Sequence, residues 1–306
     1  MADNNWMKII VNPAAGAGRT QRVWPEVKTI LKGMPLKFEY ILTEAPGHAI
    51  EIAREAAADG WDMIVSVGGD GTVHEVANGM HRAGTNGQVV LGIIGVGTGA
   101  DFMRTLGIPH HHEQSARQLL SGTRRKLDIG IAEFTGVSCT PESRVFVNFA
   151  GLGFAAEIVR HTTRRNKALG ALPSYLSGLV STLWTHQNRE VTLVADGTEV
   201  GGRLCTVLVH NGRYSGGGMC PAPNADPADG LFDLLIIDDI SRPDLVKSLP
   251  RIYRGTHLSH PKVRLIHVKE VEAASVHPLA FQVDGELLGT LPVRIKLIPG
   301  ALTVAV

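Results

Sequence analysis

No stretch of eighteen consecutive apolar residues occurs in this chain, so no segment reads as a membrane-spanning helix. Net charge is nearly absent as well: 30 Lys and Arg against 29 Asp and Glu leave +1, which gives no global electrostatic case for nucleic acid or for an anionic membrane. Cysteine is scarce. Cys139, Cys205 and Cys220 are odd in number and lack metal-ligand spacing, as suits a reducing cytosol. The early apolar run 7–11 is too short for a signal sequence, and Ala2 stands where a myristoylation signal needs glycine. The expectation is a cytoplasmic protein that would meet any membrane substrate from outside, at the surface. Low-complexity tracts are missing too, which argues against long disorder.

What is present is a chain of 306 residues, 44% apolar, long enough for two domains. It is organised around Ile64-Val65-Ser66-Val67-Gly68-Gly69-Asp70-Gly71-Thr72-Val73-His74-Glu75-Val76. A β-branched run stops at two glycines and an aspartate. Val73, Val76, Ala77 and Met80 then fall at i, i+3, i+4 and i+7, the spacing of a helix with one apolar face. Thr72 and Glu75 have capping-box spacing, which predicts a helix start at Thr72. Strand, glycine turn and helix N-terminus together make a phosphate site, because exposed N–H groups and the helix dipole both favour an anion. Asp70 would repel that anion, so it is expected to act through a magnesium ion with waters between.

Strands at 7–11, 36–42, 63–67 and 89–94 alternate with helices at 20–32, 49–58, after residue 71 and at 101–106. This alternation predicts a parallel sheet covered on both faces, with ligands beyond the carboxyl ends of the strands. Three loops at those ends are glycine-rich: 12–18, 68–72 and 95–99. A Walker A motif is absent. The dinucleotide-like Gly95-Val96-Gly97-Thr98-Gly99-Ala100 lacks its acidic partner and reads as a chance match. His110, His111 and His112 read as a solvated turn.

From about residue 126 the chain is β-rich, with strands at 144–149, 190–195, 204–211, 231–238, 263–268, 279–283 and 293–298. Asp196-Gly197 and Asp284-Gly285 look like hairpin turns. The single helix expected is 172–184, with Leu172, Leu176, Leu179 and Leu183 as a core-facing stripe. Many short strands with turn signals suggest a β-sandwich. The boundary falls near 126–134, giving domains 1–130 and 131–299, with a last strand at about 300–306 that could return to the first. The loop from Asn224 to Asp233 fails the EF-hand pattern, and a solvated turn and a metal loop are equally open. Asp284 and Glu286 flank a glycine, as an ordinary hairpin or as a general base with an orienting group.

Taken in order, Asn12-Pro13-x-x-Gly16-x-Gly18, Gly68-Gly69-Asp70-Gly71-Thr72, Gly97-Thr98-Gly99-x-Asp101-Phe102, Asp229-Gly230-Leu231 and Asp284-Gly285-Glu286 resemble the diacylglycerol kinase and sphingosine kinase catalytic-domain family. Its soluble bacterial lipid kinases are the most similar. The resemblance runs from about Lys8 to the C-terminus. It implies an N-terminal NAD-kinase-like, Rossmann-like α/β domain, then a β-sandwich domain, with ATP in the cleft between them. Implied ATP contacts are Asn12, Thr43, Gly68, Gly69, Asp70, Gly71, Thr72, Val73, His74 and Thr98. A structural magnesium is implied on Asp226, Asp229 and the Leu231 carbonyl, with Asp128 linking that site to Asp70. The proton acceptor maps to Glu286, with Asp284 its rival. Ala100 and His74 depart from the family pattern, which has asparagine at both.

The expected activity is ATP- and magnesium-dependent phosphorylation of a diacylglycerol-like lipid alcohol at a membrane surface. Asp70 would organise magnesium, and Glu286 or Asp284 would take the hydroxyl proton. The alternatives are an NAD kinase and a non-catalytic nucleotide-binding protein. Nucleic acid is not an expected partner. Oligomeric state is left open, a homodimer included.

Overall fold

In the computed structural model, residues 6–96, 100–136, 138–165 and 171–306 are described. The first strands and helices alternate: β1 (Trp6–Val11), α1 (Ala15–Lys32), β2 (Lys37–Leu42), α2 (His48–Ala58), β3 (Met63–Gly68), α3 (Asp70–Arg82), β4 (Val90–Gly95), α4 (Asp101–Leu106) and α5 (His112–Ser121). β1 pairs in parallel with β2 and β3, and β3 pairs in parallel with β4. Every residue of β3 is buried, as a central parallel strand covered on both faces requires. Ile9, Val11, Val65, Val67 and Ile94 pack with Trp24, Val27 and Leu31 of α1. Each such side chain, fully buried, contributes about 1.5–3 kcal/mol.

The remaining elements are β5 (Arg124–Thr135), β6 (Pro141–Phe146), β7 (Phe149–Gly153), α6 (Phe154–Arg165), α7 (Ala171–Thr185), β8 (Arg189–Ala195), β9 (Thr198–Glu199), β10 (Gly202–His210), β11 (Phe232–Asp238), α8 (Arg242–Tyr253), β12 (Val263–Val268), β13 (Glu270–Ala274), β14 (Ala280–Val283), β15 (Glu286–Thr290) and β16 (Val293–Ala305). Antiparallel pairing runs β15–β14–β7–β10–β8–β13–β16, with β11 between β10 and β12. Inward residues alternate along the strands. Phe232, Leu234 and Ile236 of β11 and Val207 and Val209 of β10 share one core, where Phe146 stacks 5.7 Å from Phe232 and Phe134 meets Phe281 edge-on at 5.1 Å. These strands form the C-terminal β-sandwich.

Two units result, one of Met1–Leu127 with Pro299–Val306 and one of Asp128–Ile298. The end of β16 does return: Thr303 and Val304 pair in parallel with Val90 and Leu91 of β4.

Several elements differ from expectation. The run 144–149 is not one strand; it breaks at Val147-Asn148 into β6 and β7. α7 is not the single helix of its half, since α6 and α8 accompany it. α8 carries Pro250 internally, which masks it, but it starts on a Ser241 cap whose hydroxyl accepts from Asp244 N. Leu179 and Leu183 pack inward as the stripe predicts; the Leu172 and Leu176 side chains lie outside the described residues. Among the described residues, no helix is long and apolar enough to cross a membrane.

Candidate active site

The carboxyl ends of β1, β3 and β4 are joined by short hydrogen bonds. Asn12 N donates to Val67 O (3.0 Å) and Val96 N to Gly68 O (2.9 Å). Asn12 Nδ2 donates to Thr72 Oγ1 (3.1 Å), while its Oδ1 accepts from Ala14 N (3.1 Å). The Asn12 side chain is thereby committed within the protein, tying the first glycine loop to the second. Beyond it, Gly16, Ala17 and Gly18 all have positive φ (61°, 55° and 80°). The left-handed conformation is strained at Ala17, where a Cβ is present. Thr43 closes the carboxyl end of β2, its N–H on Val11 O at 2.8 Å.

α3 begins at Asp70, not Thr72, with extended Gly69 as its N-cap and no side-chain cap. The capping box does not form. Thr72 Oγ1 is engaged by Asn12, and Glu75 Oε2 accepts from Ala49 N at 3.2 Å. The three motif glycines near the helix start are not equivalent. A Cβ at Gly68 would stand 2.9 Å from Thr72 Cβ, so the fold itself requires glycine there. A Cβ at Gly71 would meet nothing within 4 Å, and Gly71 has no positive φ. Nothing in the protein requires glycine at the exposed position 71.

Asp70 has a partner the sequence did not reveal. Its Oδ2 accepts from Asp101 N (3.1 Å) and its Oδ1 from Phe102 N (3.4 Å), so the carboxylate caps α4. Those N–H groups are otherwise orphans of the helix start. The positive end of α4 favours a negative charge at this position. Of the other expected contacts, Val73 and His74 are buried, at 2% exposure each. His74 Nε2 accepts from Asn78 Nδ2 at 3.3 Å within the helix, so its imidazole is turned inward. Thr98, with Gly97 and Gly99, lies outside the described residues.

The second unit carries the acidic turns. Asp284 sits at φ 46° before Gly285 at φ 85°, the left-handed pair of a tight hairpin joining β14 to β15. Its Oδ2 accepts from Val147 N (2.8 Å) and its Oδ1 from Asn148 N (3.0 Å) and Phe149 N (2.9 Å). These bonds break the strand between β6 and β7. Asp284 is thus a backbone anchor. Glu286, two residues on, is exposed, and Arg144 Nη2 lies 3.8 Å from its Oε1. Arg144 carried no motif and was missed in the sequence. Fully buried His210 stacks on Phe149 and donates from Nδ1 to Gly212 O at 2.9 Å. Burial pushes its pKa down to about 4, against smaller upward pulls from Gly212 and Asp284.

The acidic loop is held by Asp128, whose Oδ2 accepts from Gly230 N (2.8 Å) and whose N–H donates to Pro227 O (2.7 Å). Asp226 Oδ1 accepts from Ala228 N (3.1 Å) and Asp229 Oδ1 from Leu231 N (2.9 Å). Asp226, Asp229 and the Leu231 carbonyl are hard oxygen donors, the kind magnesium takes. Among the described residues no three Asp, Glu, His or Cys side chains converge on a metal position. The donors fit magnesium in kind, and water would have to complete its shell.

Residues 7–132 match the diacylglycerol kinase catalytic domain, and residues 148–306 match the YegS C-terminal NAD kinase beta sandwich-like domain. The chain is 30% identical over 287 residues to the diacylglycerol kinase of Bacillus subtilis (strain 168), covering 93% of this chain and 91% of the relative. It is 31% identical over 260 residues to a YegS-like lipid kinase of Chromohalobacter salexigens, covering 85% and 80%. A crystal structure of a diacylglycerol kinase from Bacillus anthracis superposes with a TM-score of 0.78 at 26% identity, over 100% of this chain and 98% of that one. Yeast NADH kinase shares the fold alone, with a TM-score of 0.57 at 12% identity, over 99% and 83%.

Proposed function

This chain belongs to the diacylglycerol kinase and YegS-like lipid kinase family, and from that membership we propose that it transfers the γ-phosphate of ATP to a hydroxyl of a diacylglycerol-like lipid alcohol at a membrane surface. The observation that carries this reading is Gly71. A glycine in the first turn of a helix lowers stability relative to alanine, and neither packing nor φ asks for it here. Space left open beside a helix N-terminus is what a close-approaching phosphate needs.

Each group then has a task. Main-chain amides between Gly69 and Gly71 would bind the phosphates, the Thr72 N–H being taken by Gly69 O at 2.9 Å. Asp70 is a positioning residue that holds α4, and Asn12 positions Thr72. Asp226, Asp229 and the Leu231 carbonyl would hold magnesium, which when bound supplies positive charge and stiffens the loop. Glu286 would take the proton of the attacking hydroxyl, a contribution of about 10²–10⁴-fold. Its exposed carboxylate supports that choice, whereas both Asp284 oxygens are taken by three backbone N–H groups.

The test is transfer of labelled phosphate from ATP, with magnesium, to detergent-dispersed diacylglycerol, monoglyceride or sphingoid base, with NAD as a control acceptor. Labelled lipid and unlabelled NAD are expected. Labelling of NAD alone would instead favour an NAD kinase, and ATP binding without transfer to any alcohol would contradict a kinase.

A further inference from the structure

Arg144 lies on β6, opposite Ala132 of β5. Its side chain keeps only 17% of its exposure. A guanidinium offers five N–H donors and cannot shed its charge, so burying one without acceptors is costly. Yet Arg144 donates no hydrogen bond to any described residue, and its Nε is buried with no partner. Its one ion-pair contact among the described residues is Glu286, and 3.8 Å exceeds hydrogen-bond reach. A purely structural arginine with its Nε buried would place that N–H on a carbonyl or a carboxylate. The guanidinium is also held in place. The turn after β6 is gripped by Asp284, two residues before Glu286, so Arg144 and Glu286 are set by one network of backbone bonds.

We propose that Arg144 is a catalytic residue that binds the phosphoryl group during its transfer. This rests on the reading of Glu286 as the base. The lipid hydroxyl oxygen forms a bond to the γ-phosphorus. The bond from that phosphorus to the oxygen bridging the β-phosphate breaks, and its electron pair leaves with ADP. The hydroxyl proton passes to Glu286. Negative charge spreads over the three peripheral phosphoryl oxygens, and the planar guanidinium pairs with two of them. Donors with no ground-state partner need not break a bond to do so.

Arg144→Met and Arg144→Lys are compared with wild type and Glu286→Gln for kcat, KM and thermal midpoint, using ATP and dispersed diacylglycerol. Arg144→Met should lower kcat by about 10²–10³-fold. Its KM values should stay within about threefold, since the contact is made in transfer and not in the ground state. Its midpoint should be unchanged or raised, because a buried Nε–H without a partner has gone, and Arg144→Lys should recover part of kcat. A kcat for Arg144→Met within about threefold of wild type overturns the proposal. So does a fall in midpoint that Arg144→Lys restores, or an effect confined to lipid KM. Loss of transfer in Glu286→Gln but not in Arg144→Met sinks the Arg144 assignment alone. Full transfer in both sinks the base reading as well.

Discussion

Gly71→Ala should make the protein more stable and less able to bind ATP. Position 71 is the second residue of α3, and an added Cβ meets nothing within 4 Å. With no left-handed φ to preserve, alanine gains about 0.5–1 kcal/mol from reduced unfolded-state freedom and better helix propensity. That corresponds to a rise of about 1–4 °C in thermal midpoint for a protein of this size. The same methyl group would occupy the space beside the first-turn amides. Losing one hydrogen bond to a charged phosphate costs about 1.5–3 kcal/mol. ATP binding should therefore weaken roughly 10- to 150-fold. The control is Gly68→Ala, where the new Cβ drives Thr72 off its Asn12 bond and destabilises by about 1–3 kcal/mol. Calorimetry would measure both quantities. Unchanged ATP affinity in Gly71→Ala, or a stability loss matching Gly68→Ala, would refute the reasoning that glycine is there for a ligand.

Asp70→Ala leaves the Asp101 and Phe102 amides without their acceptor and should cost about 1–2 kcal/mol in urea unfolding, with transfer abolished; Asp70→Asn should keep most of the stability. Asp284→Ala strands three backbone N–H groups and should destabilise by about 3 kcal/mol or more. Glu286→Ala should abolish transfer without moving the urea midpoint, and equal midpoints for the two alanine variants would count against the division of roles. His210 is held neutral by burial, with a folded pKa of about 4 below its unfolded value of 6.5. The unfolded chain binds the extra proton first. Stability from this group is thus complete above pH 6.5 and is lost as pH falls toward 4, by about 3 kcal/mol in all. His210→Phe should flatten that part of the urea-midpoint profile.

The first unit is the more legible in sequence because parallel strands read as apolar runs and the helices between them are amphipathic; α4 falls at the predicted residues. What failed there was local chemistry. Thr72 and Glu75 have capping spacing, but Asn12 and Ala49 claim their oxygens, and neither partner is near in sequence. In the second unit the break between β6 and β7 is imposed by Asp284, more than a hundred residues downstream. No local pattern carries that. The glycine and acidic turns were legible as candidates, yet their roles divided only once partners were visible. Asp284 accepts from the backbone of residues 147–149, Asp70 accepts from the start of α4, and Arg144 stands inside an ordinary strand with no motif around it.

The proposal that the turn after β3 binds phosphate is tested most directly by a crystal structure with a non-hydrolysable ATP analogue. Its phosphates should lie within hydrogen-bond distance of the Gly71 amide, against the face that lacks a Cβ. A triphosphate bound elsewhere, with no contact to residues 68–72, would contradict it.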